Sequence, residues 1–205
     1  MDFNLTPEQQ NALLDAASKK LGIEREDELV GRGVSYCAVC DGAFFKNKTV
    51  AVVGGGNSAL EDALYLAGFA EKVYLIHRRE SFRAEQAMID KVKAESKILL
   101  VTPAQITSLN GEGKLESVTV KRESGESEEI SLDGLFIAIG HAPAAGAFAS
   151  LVALDESGYV IAGEDCKTSC PGIYTAGDCR TKTVRQLTTA CGDGAVAALA
   201  SAEHT

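Results

Sequence analysis

The sequence has no uninterrupted apolar stretch of about 18 residues or more, the length that a membrane-spanning helix needs, so no membrane is expected among its partners. Nor does it have a surplus of positive charge. Its 20 Lys and Arg against 29 Asp and Glu leave a formal net charge of -9. Nucleic-acid binding draws on cations that displace counterions, so an acidic chain is a poor candidate for it. The opening Met1-Asp2-Phe3-Asn4 lacks the basic and apolar segments of a secretory signal, and a cytoplasmic location is expected. Cysteine is limited to six residues, and in a reducing cytosol these do not read as a structural disulfide framework. What remains is ordinary for a globular protein: 45% apolar and 24% charged residues over a length of 205. That suffices for a sizeable core in one large domain or two small ones.

Residues 6–22 predict a helix. Thr6 suits the N-cap, Pro7 the first helical position, and Gln9 completes a capping box. Leu13, Ala16, Ala17 and Leu21 share one face, and Gly22 would end the helix. Residues 29–33 read as a linker. Residues 49–53 predict a strand, 58–69 a helix, 73–76 a strand and 81–95 a helix. That alternation implies a parallel sheet with right-handed crossovers. Residues 98–101, 105–109, 117–122 and 129–132 are short and alternating, with turn signals at Asn110-Gly111 and Ser124-Gly125. They predict an antiparallel meander. The apolar run 135–139 predicts a buried parallel strand. Beyond Pro143 the pattern predicts a strand pair around 154–161, an extended segment at 173–176 and a helix over 194–202. The fold class is therefore α/β, a Rossmann-like arrangement of parallel sheet and antiparallel meander.

Gly54-Gly55-Gly56-Asn57-Ser58-Ala59 lies between a predicted strand and helix. Gly54 allows the tight turn, Gly56 lets backbone approach a pyrophosphate, and the small Ala59 lets helix pack on strand. The helix start then offers free N–H groups and partial positive charge to phosphates. An NAD site usually ends its second strand with a carboxylate for the ribose 2′-hydroxyl. Here that strand runs into His77-Arg78-Arg79, with Arg83 one helical turn later. Guanidinium forks suit a 2′-phosphate, so the expected nucleotide is NADPH.

Tyr36-Cys37-Ala38-Val39-Cys40-Asp41-Gly42 carries a C-x-x-C pair. Such a pair can close a small disulfide ring and exchange it with a partner dithiol; the same spacing also occurs as half of a zinc knuckle. Cys166 and Cys170 lack the tight-pair spacing usual in zinc sites, so no metal is expected, and with Cys179 and Cys191 they read as small buried hydrophobes. Asp41 is unfavourable as a static neighbour of a thiolate but useful as a proton donor or acceptor to a departing one.

These segments resemble the bacterial low-molecular-weight thioredoxin reductases, members of the pyridine nucleotide-disulfide oxidoreductases. The likeness runs through the C-x-x-C segment 33–42, the glycine loop 52–61, His77-Arg78-Arg79 with Phe82-Arg83-Ala84, the strand 136–141, and 171–178 with Arg185-Gln186. In that family NADPH reduces FAD, FAD reduces the C-x-x-C disulfide, and the dithiol reduces thioredoxin. The resemblance implies that Cys40 faces the flavin, Cys37 attacks the thioredoxin-like substrate, and Asp41 is the acid–base. It places Gly54, Gly56, Asn57, Ser58, Ala59, Glu61, His77, Arg78, Arg79, Arg83 and Ile139 around NADPH, with Glu61 at the nicotinamide end. It places Asp178 at the FAD ribityl chain and Arg185 and Gln186 at the flavin ring.

Family members open with a strand and a glycine fingerprint for the ADP half of FAD, and none precedes Cys37 here. Residues 17–23 resemble the point where the family chain leaves that unit. The expected organisation is a leading helix and linker over 1–28, an NADPH-binding domain with the C-x-x-C over 29–143, and a remnant of an FAD domain over 144–205. FAD binding is expected to be weak or absent. Ile173, Tyr174, Val184 and Leu187 would need cover, from a homodimer or a completing flavoprotein chain. The alternative to an oxidoreductase is an NADPH-binding module or redox sensor without flavin.

Overall fold

The structure is a computed structural model that describes residues 16–143 and 145–203. The chain divides into two compact units. One is Ser18–Gly140, and the other joins Ala16 and Ala17 to the described residues from His141 onward. Strand β1 (Ala16–Ser18) is the first described element. The Ser18–Gly140 unit then runs through α1 (Glu26–Leu29), β2 (Val34–Ser35), α2 (Ala38–Asp41), β3 (Thr49–Val53), α3 (Asn57–Ala67), β4 (Lys72–Ile76) and α4 (Gln86–Ala94). It continues with β5 (Ile98–Val101), β6 (Ala104–Asn110), β7 (Ser117–Arg122), β8 (Ser127–Ser131) and β9 (Gly134–Ile137).

Five parallel strands form the main sheet in the order β2-β9-β3-β4-β5. Both faces of the sheet are covered, and the period-2 alternation of side chains divides the apolar residues between two cores. Val50 and Val52 of β3 point to the side packed by Leu60, Ala63 and Leu66 of α3, together with Phe136 of β9. Ala51 and Val53 point to the other side, which is closed by Ile106, Val118, Val120 and Ile130 of the meander. Helix α3 buries Ala59, Leu60, Ala63, Leu66 and Ala67, a stripe at helical spacing. The meander is the three-stranded antiparallel sheet β6-β7-β8.

Several elements differ from the sequence-based expectation. Residues 98–101 are not part of the meander but pair parallel to β4, Val73 opposite Ile98. The alternation expected of 98–101 is absent: all four residues are apolar, and such a run does not decide between the two pairings. As an edge strand, β5 leaves Leu99 and Leu100 about two-fifths exposed, at 41% and 39%. The helix expected over 81–95 starts only at Gln86, because Arg83 folds back and its N–H donates to Gly55 O at 2.7 Å. Of the helix expected over 6–22, residues 6–15 lie outside the described residues. The rest is not helical: 16–18 is extended, and the Gly22 N–H donates to Glu26 instead of closing a helix. The expected linker 29–33 begins at Leu29, which is fully buried, and turns tightly into β2.

In the second unit, β10 (His141–Pro143) pairs with β1 in a two-stranded sheet. Val152 and Val160 pack with Phe148, Leu154 and Ile173 in a small core. The expected strands at 154–161 and 173–176 reduce to single bridges, Leu154 with Val160 and Lys167 with Tyr174. The closing helix α5 (Leu187–Ala202) starts well before residue 194. Of the residues expected to need cover, Ile173 and Tyr174 are partly buried, while Val184 and Leu187 are 55% and 80% exposed.

Candidate active site

The chain leaves β3 through Gly54-Gly55-Gly56 and enters α3. Two of the three glycines have a steric reason. A Cβ on Gly54 would stand 2.3 Å from Ala138 O and 2.6 Å from Ala59 Cβ, so strand, helix and β9 close on one another there. A Cβ on Gly55 would stand 2.2 Å from His77 Cε1, because the imidazole lies directly over this residue. Gly56 is the N-cap of α3 and no side chain caps it, which leaves helix N–H groups for an anion.

His77 follows β4, and its ring stacks on Phe82 with centroids 5.5 Å apart. Burial holds its pKa below the ordinary value. A hydrogen bond with the Ser81 backbone opposes that shift, and Arg78, Arg79 and Arg83 reinforce it. Its Nε2 is buried without a hydrogen-bond partner. Arg78, Arg79 and Arg83 are exposed beside it. A cavity of about 610 Å³ unites Gly54, Gly56, Ser58, His77, Arg78, Arg83 and Ile139. Asn57 does not line it; its Oδ1 accepts from Glu85 N–H at 2.9 Å. Ala59 is buried beneath the turn, and Glu61 is exposed on α3 next to Asp62, whose carboxyl is pushed up to about 6 by burial and by Glu61. Lys19, Lys20 and Ile106 complete the wall, and no local motif marks them. An orphaned buried nitrogen, a glycine floor with no room for a Cβ and a group of cations fit a dinucleotide bearing an extra phosphate.

In the same compact unit, Cys37 and Cys40 form a disulfide. Cys37 is the N-cap of α2, and its Sγ accepts the Cys40 N–H at 3.2 Å. Cys37 is half-buried and Cys40 exposed, so the bridge is open to a partner. Asp41 closes the helix, and its Oδ2 accepts from the Ser35 hydroxyl at 2.6 Å. Ser35 is held in β2 by its register against Phe136. Tyr36, just before the disulfide, donates its hydroxyl to Glu26 Oε1 at 2.7 Å. Burial and Glu26 push the Tyr36 phenol above its ordinary range. The sequence reading missed both Glu26 and Ser35. Glu26 sits in the charged run 24–28, which reads as a solvated face, yet it is 3% exposed.

Asp178, Arg185 and Gln186 lie in the other compact unit. Asp178 occupies a 3-10 turn, Gly177–Cys179, that is anchored by Asp193. The Asp193 carboxylate accepts from Gly177 N–H at 3.0 Å, Arg180 Nε and Nη2 at 2.8 Å, and Lys182 Nζ at 2.8 Å. Asp178 Oδ1 and Arg185 Nε are buried without partners, and the Arg185 guanidinium lies 4.1 Å over the Tyr159 ring. An unpaired acceptor and an unpaired donor fit the ribityl and ring half of a flavin. Gln186 differs from this pattern, since its side chain serves in a capping box with Thr189 at the start of α5. A second G-x-G-x-x-A string, at residues 192–197, lies inside α5 and makes no turn for a pyrophosphate.

The other cysteines, Cys166, Cys170, Cys179 and Cys191, are free thiols. Among the described residues no helix is long and apolar enough to cross a membrane.

The site has clear relatives. Residues 16–194 match the family model for pyridine nucleotide-disulphide oxidoreductases. A thioredoxin reductase of Listeria innocua is 46% identical over 184 residues, covering 89% of this chain and 58% of the relative. One from Streptomyces clavuligerus is 44% identical over 183 residues, covering 88% and 57%. The crystal structure of thioredoxin reductase from Streptococcus pyogenes superposes with a TM-score of 0.86 at 39% identity, over 92% of this chain and 62% of that one. The chain therefore spans less than two thirds of the length of these relatives. On the family match across most of its length, the chain belongs to the pyridine nucleotide-disulphide oxidoreductase family.

Proposed function

We propose that this chain carries the NADPH-binding and redox-disulfide functions of a thioredoxin-reductase-like oxidoreductase acting on a thioredoxin-like disulfide. One observation carries the reading. The Cys37–Cys40 disulfide, with Asp41 beside it, shares a compact unit with a glycine-floored cavity edged by His77, Arg78 and Arg83. Arg78, Arg79 and Arg83 would hold the 2′-phosphate, with His77 over Gly55 closing the floor. The start of α3 would meet the pyrophosphate, and Ile139 would pack on the nucleotide.

The dithiol chemistry needs only residues of this chain. The Cys37 thiolate attacks one sulfur of the substrate disulfide, that bond breaks, and one substrate thiol leaves. The Cys40 thiolate then attacks Cys37 Sγ, which restores the Cys37–Cys40 bond and releases the second thiol. Two electrons pass to the substrate, and Asp41 moves the proton at Cys40. A bound flavin supplies the conversion of a hydride into electrons for a disulfide. Asp178 and Arg185 would hold its ribityl and ring portions. Among the described residues only the Gly54 turn is shaped for a pyrophosphate, so the 205-residue chain is expected to hold FAD weakly. A second copy, or a flavoprotein chain, would cover Val184 and Leu187. The same scarcity of pyrophosphate turns, with the Gln186 side chain already engaged, favours a second reading, an NADPH-binding redox sensor without flavin.

The test is to add NADPH, FAD and a chromogenic disulfide to the purified chain, and to record its absorbance after desalting. NADPH binding with little retained flavin and slow turnover is expected. Stoichiometric retained flavin with rapid turnover would overturn the weak-flavin claim. Absence of NADPH binding would overturn the reading as a whole.

A further inference from the structure

We propose that Ser35 is a positioning residue for Asp41, setting the carboxylate that serves the Cys37–Cys40 pair. The proposal rests on the reading of Asp41 as proton carrier and adds to it the group that aims Asp41.

Ser35 is 4% exposed, and three polar atoms surround its Oγ. Asp41 Oδ2 lies at 2.6 Å, Cys37 N at 3.1 Å and Cys37 O at 3.4 Å. The hydroxyl has one proton to give. The shorter contact, to a carboxylate, takes it, since charge-assisted O–H···O bonds are the strong ones. The oxygen then accepts the Cys37 N–H. The result is a directed line from the Cys37 N–H through the Ser35 hydroxyl to Asp41 Oδ2. It occupies one carboxylate oxygen as an acceptor and leaves Oδ1 to exchange a proton.

The line is rigidly mounted. Ser35 stands in register with Phe136, which is 1% exposed and packs edge-on against Phe45 with centroids 5.3 Å apart. The Asp41 N–H donates to Cys37 O at 3.1 Å, so Asp41 and the attacking cysteine are held by one helical turn and by one hydroxyl. The Ser35 hydroxyl holds Oδ2 of the Asp41 carboxylate, so removing it takes away that restraint on the carboxylate's rotation.

The experiment uses the full chain in its disulfide form and dithiothreitol as reductant. A reductant thiolate attacks Cys37 Sγ, the S–S bond breaks, and Cys40 leaves as a thiolate that takes a proton. The second thiol of the reductant closes its own ring and releases Cys37, so the reductant is oxidised and the pair reduced. Opening rates, trapped by alkylation and read by mass spectrometry, are compared across pH for the wild type, Ser35→Ala, Ser35→Thr, Asp41→Asn and the Ser35→Ala/Asp41→Asn double variant. Thermal melts confirm that each variant is folded.

Acid–base groups contribute on the order of a hundredfold or more, and misaiming one is expected to cost about tenfold of that. So Ser35→Ala slows opening about tenfold, Ser35→Thr restores most of the rate, and Ser35→Ala adds nothing once Asp41→Asn is present. If Asp41→Asn slows opening but Ser35→Ala does not, the positioning role is overturned and the Asp41 reading stands. If Ser35→Ala slows opening equally with and without Asp41, the hydroxyl acts only through the Cys37 N–H, and the proposal also fails. If Asp41→Asn has no effect, the reading beneath the proposal falls with it.

Discussion

The Tyr36 hydroxyl and the Glu26 carboxylate meet at 2.7 Å, and the same carboxylate accepts the N–H groups of Leu21 at 3.0 Å and Gly22 at 2.8 Å. Leu21 lines the cavity beside the glycine turn, and Tyr36 precedes Cys37. One buried acid thus fixes a wall of the cavity and the approach to the disulfide. Hydrogen bonds to a charged group are worth about 1.5–3 kcal/mol each, so Glu26→Ala should cost on the order of 3 kcal/mol or more. Tyr36→Phe removes a single one of these bonds and should cost about 1.5–3 kcal/mol. Denaturant midpoints check this: both variants should shift the midpoint with little change in slope. A Glu26→Ala protein as stable as wild type would contradict it.

Gly55 has no room for a methyl group beneath His77. Gly55→Ala should push the imidazole outward into the cavity. The core residues of β3 and α3 lie elsewhere, so the fold should survive. NADPH affinity should fall by about tenfold or more, a loss of at least 1.4 kcal/mol. Calorimetric titration together with a melting curve separates binding from folding. Undiminished affinity would mean that the ring does not need its present place.

Asp193 ties the Gly177–Cys179 turn to α5. Arg180 first, then Lys182 and the Gly177 N–H, hold its carboxyl far below the usual range, against the opposing effect of burial. A carboxyl depressed on folding stabilises the native state above its unfolded pKa of about 3.9, and this contribution disappears as pH falls toward the depressed value. Asp193→Asn leaves the buried Arg180 with only the exposed Glu164 as a charged partner and should cost about 3 kcal/mol near neutrality. The gap between variant and wild type should narrow as pH drops below about 4. Circular dichroism melts across pH give both quantities, and a gap that widens in acid would reverse the sign of the argument.

The glycine turn between β3 and α3 was legible in the sequence because its signals are local: three glycines and a small residue, with arginines just past the next strand. The disulfide pair was legible for the same reason. Residues 98–101 were misassigned because a short run of apolar residues suits either a parallel edge or a meander. Strand β2 was missed because two residues carry no period. Glu26 and Ser35 could not be singled out, since their roles depend on where a turn and a sheet register deliver them. The helix expected from residue 6 had strong capping signals, yet by residue 16 the chain is extended and paired with β10, a contact remote in sequence.

The central claim is that the cavity beside the glycine turn selects NADPH. Titrating the purified chain with NADPH and with NADH tests it most directly, with Arg78→Ala and Arg83→Ala as companions. Two charge-assisted bonds to the 2′-phosphate, at about 1.5–3 kcal/mol each, predict that NADPH binds on the order of a hundredfold more tightly. Each arginine variant should lose much of that preference and leave NADH affinity nearly unchanged. Equal affinities for the two nucleotides in the wild-type chain would contradict the account.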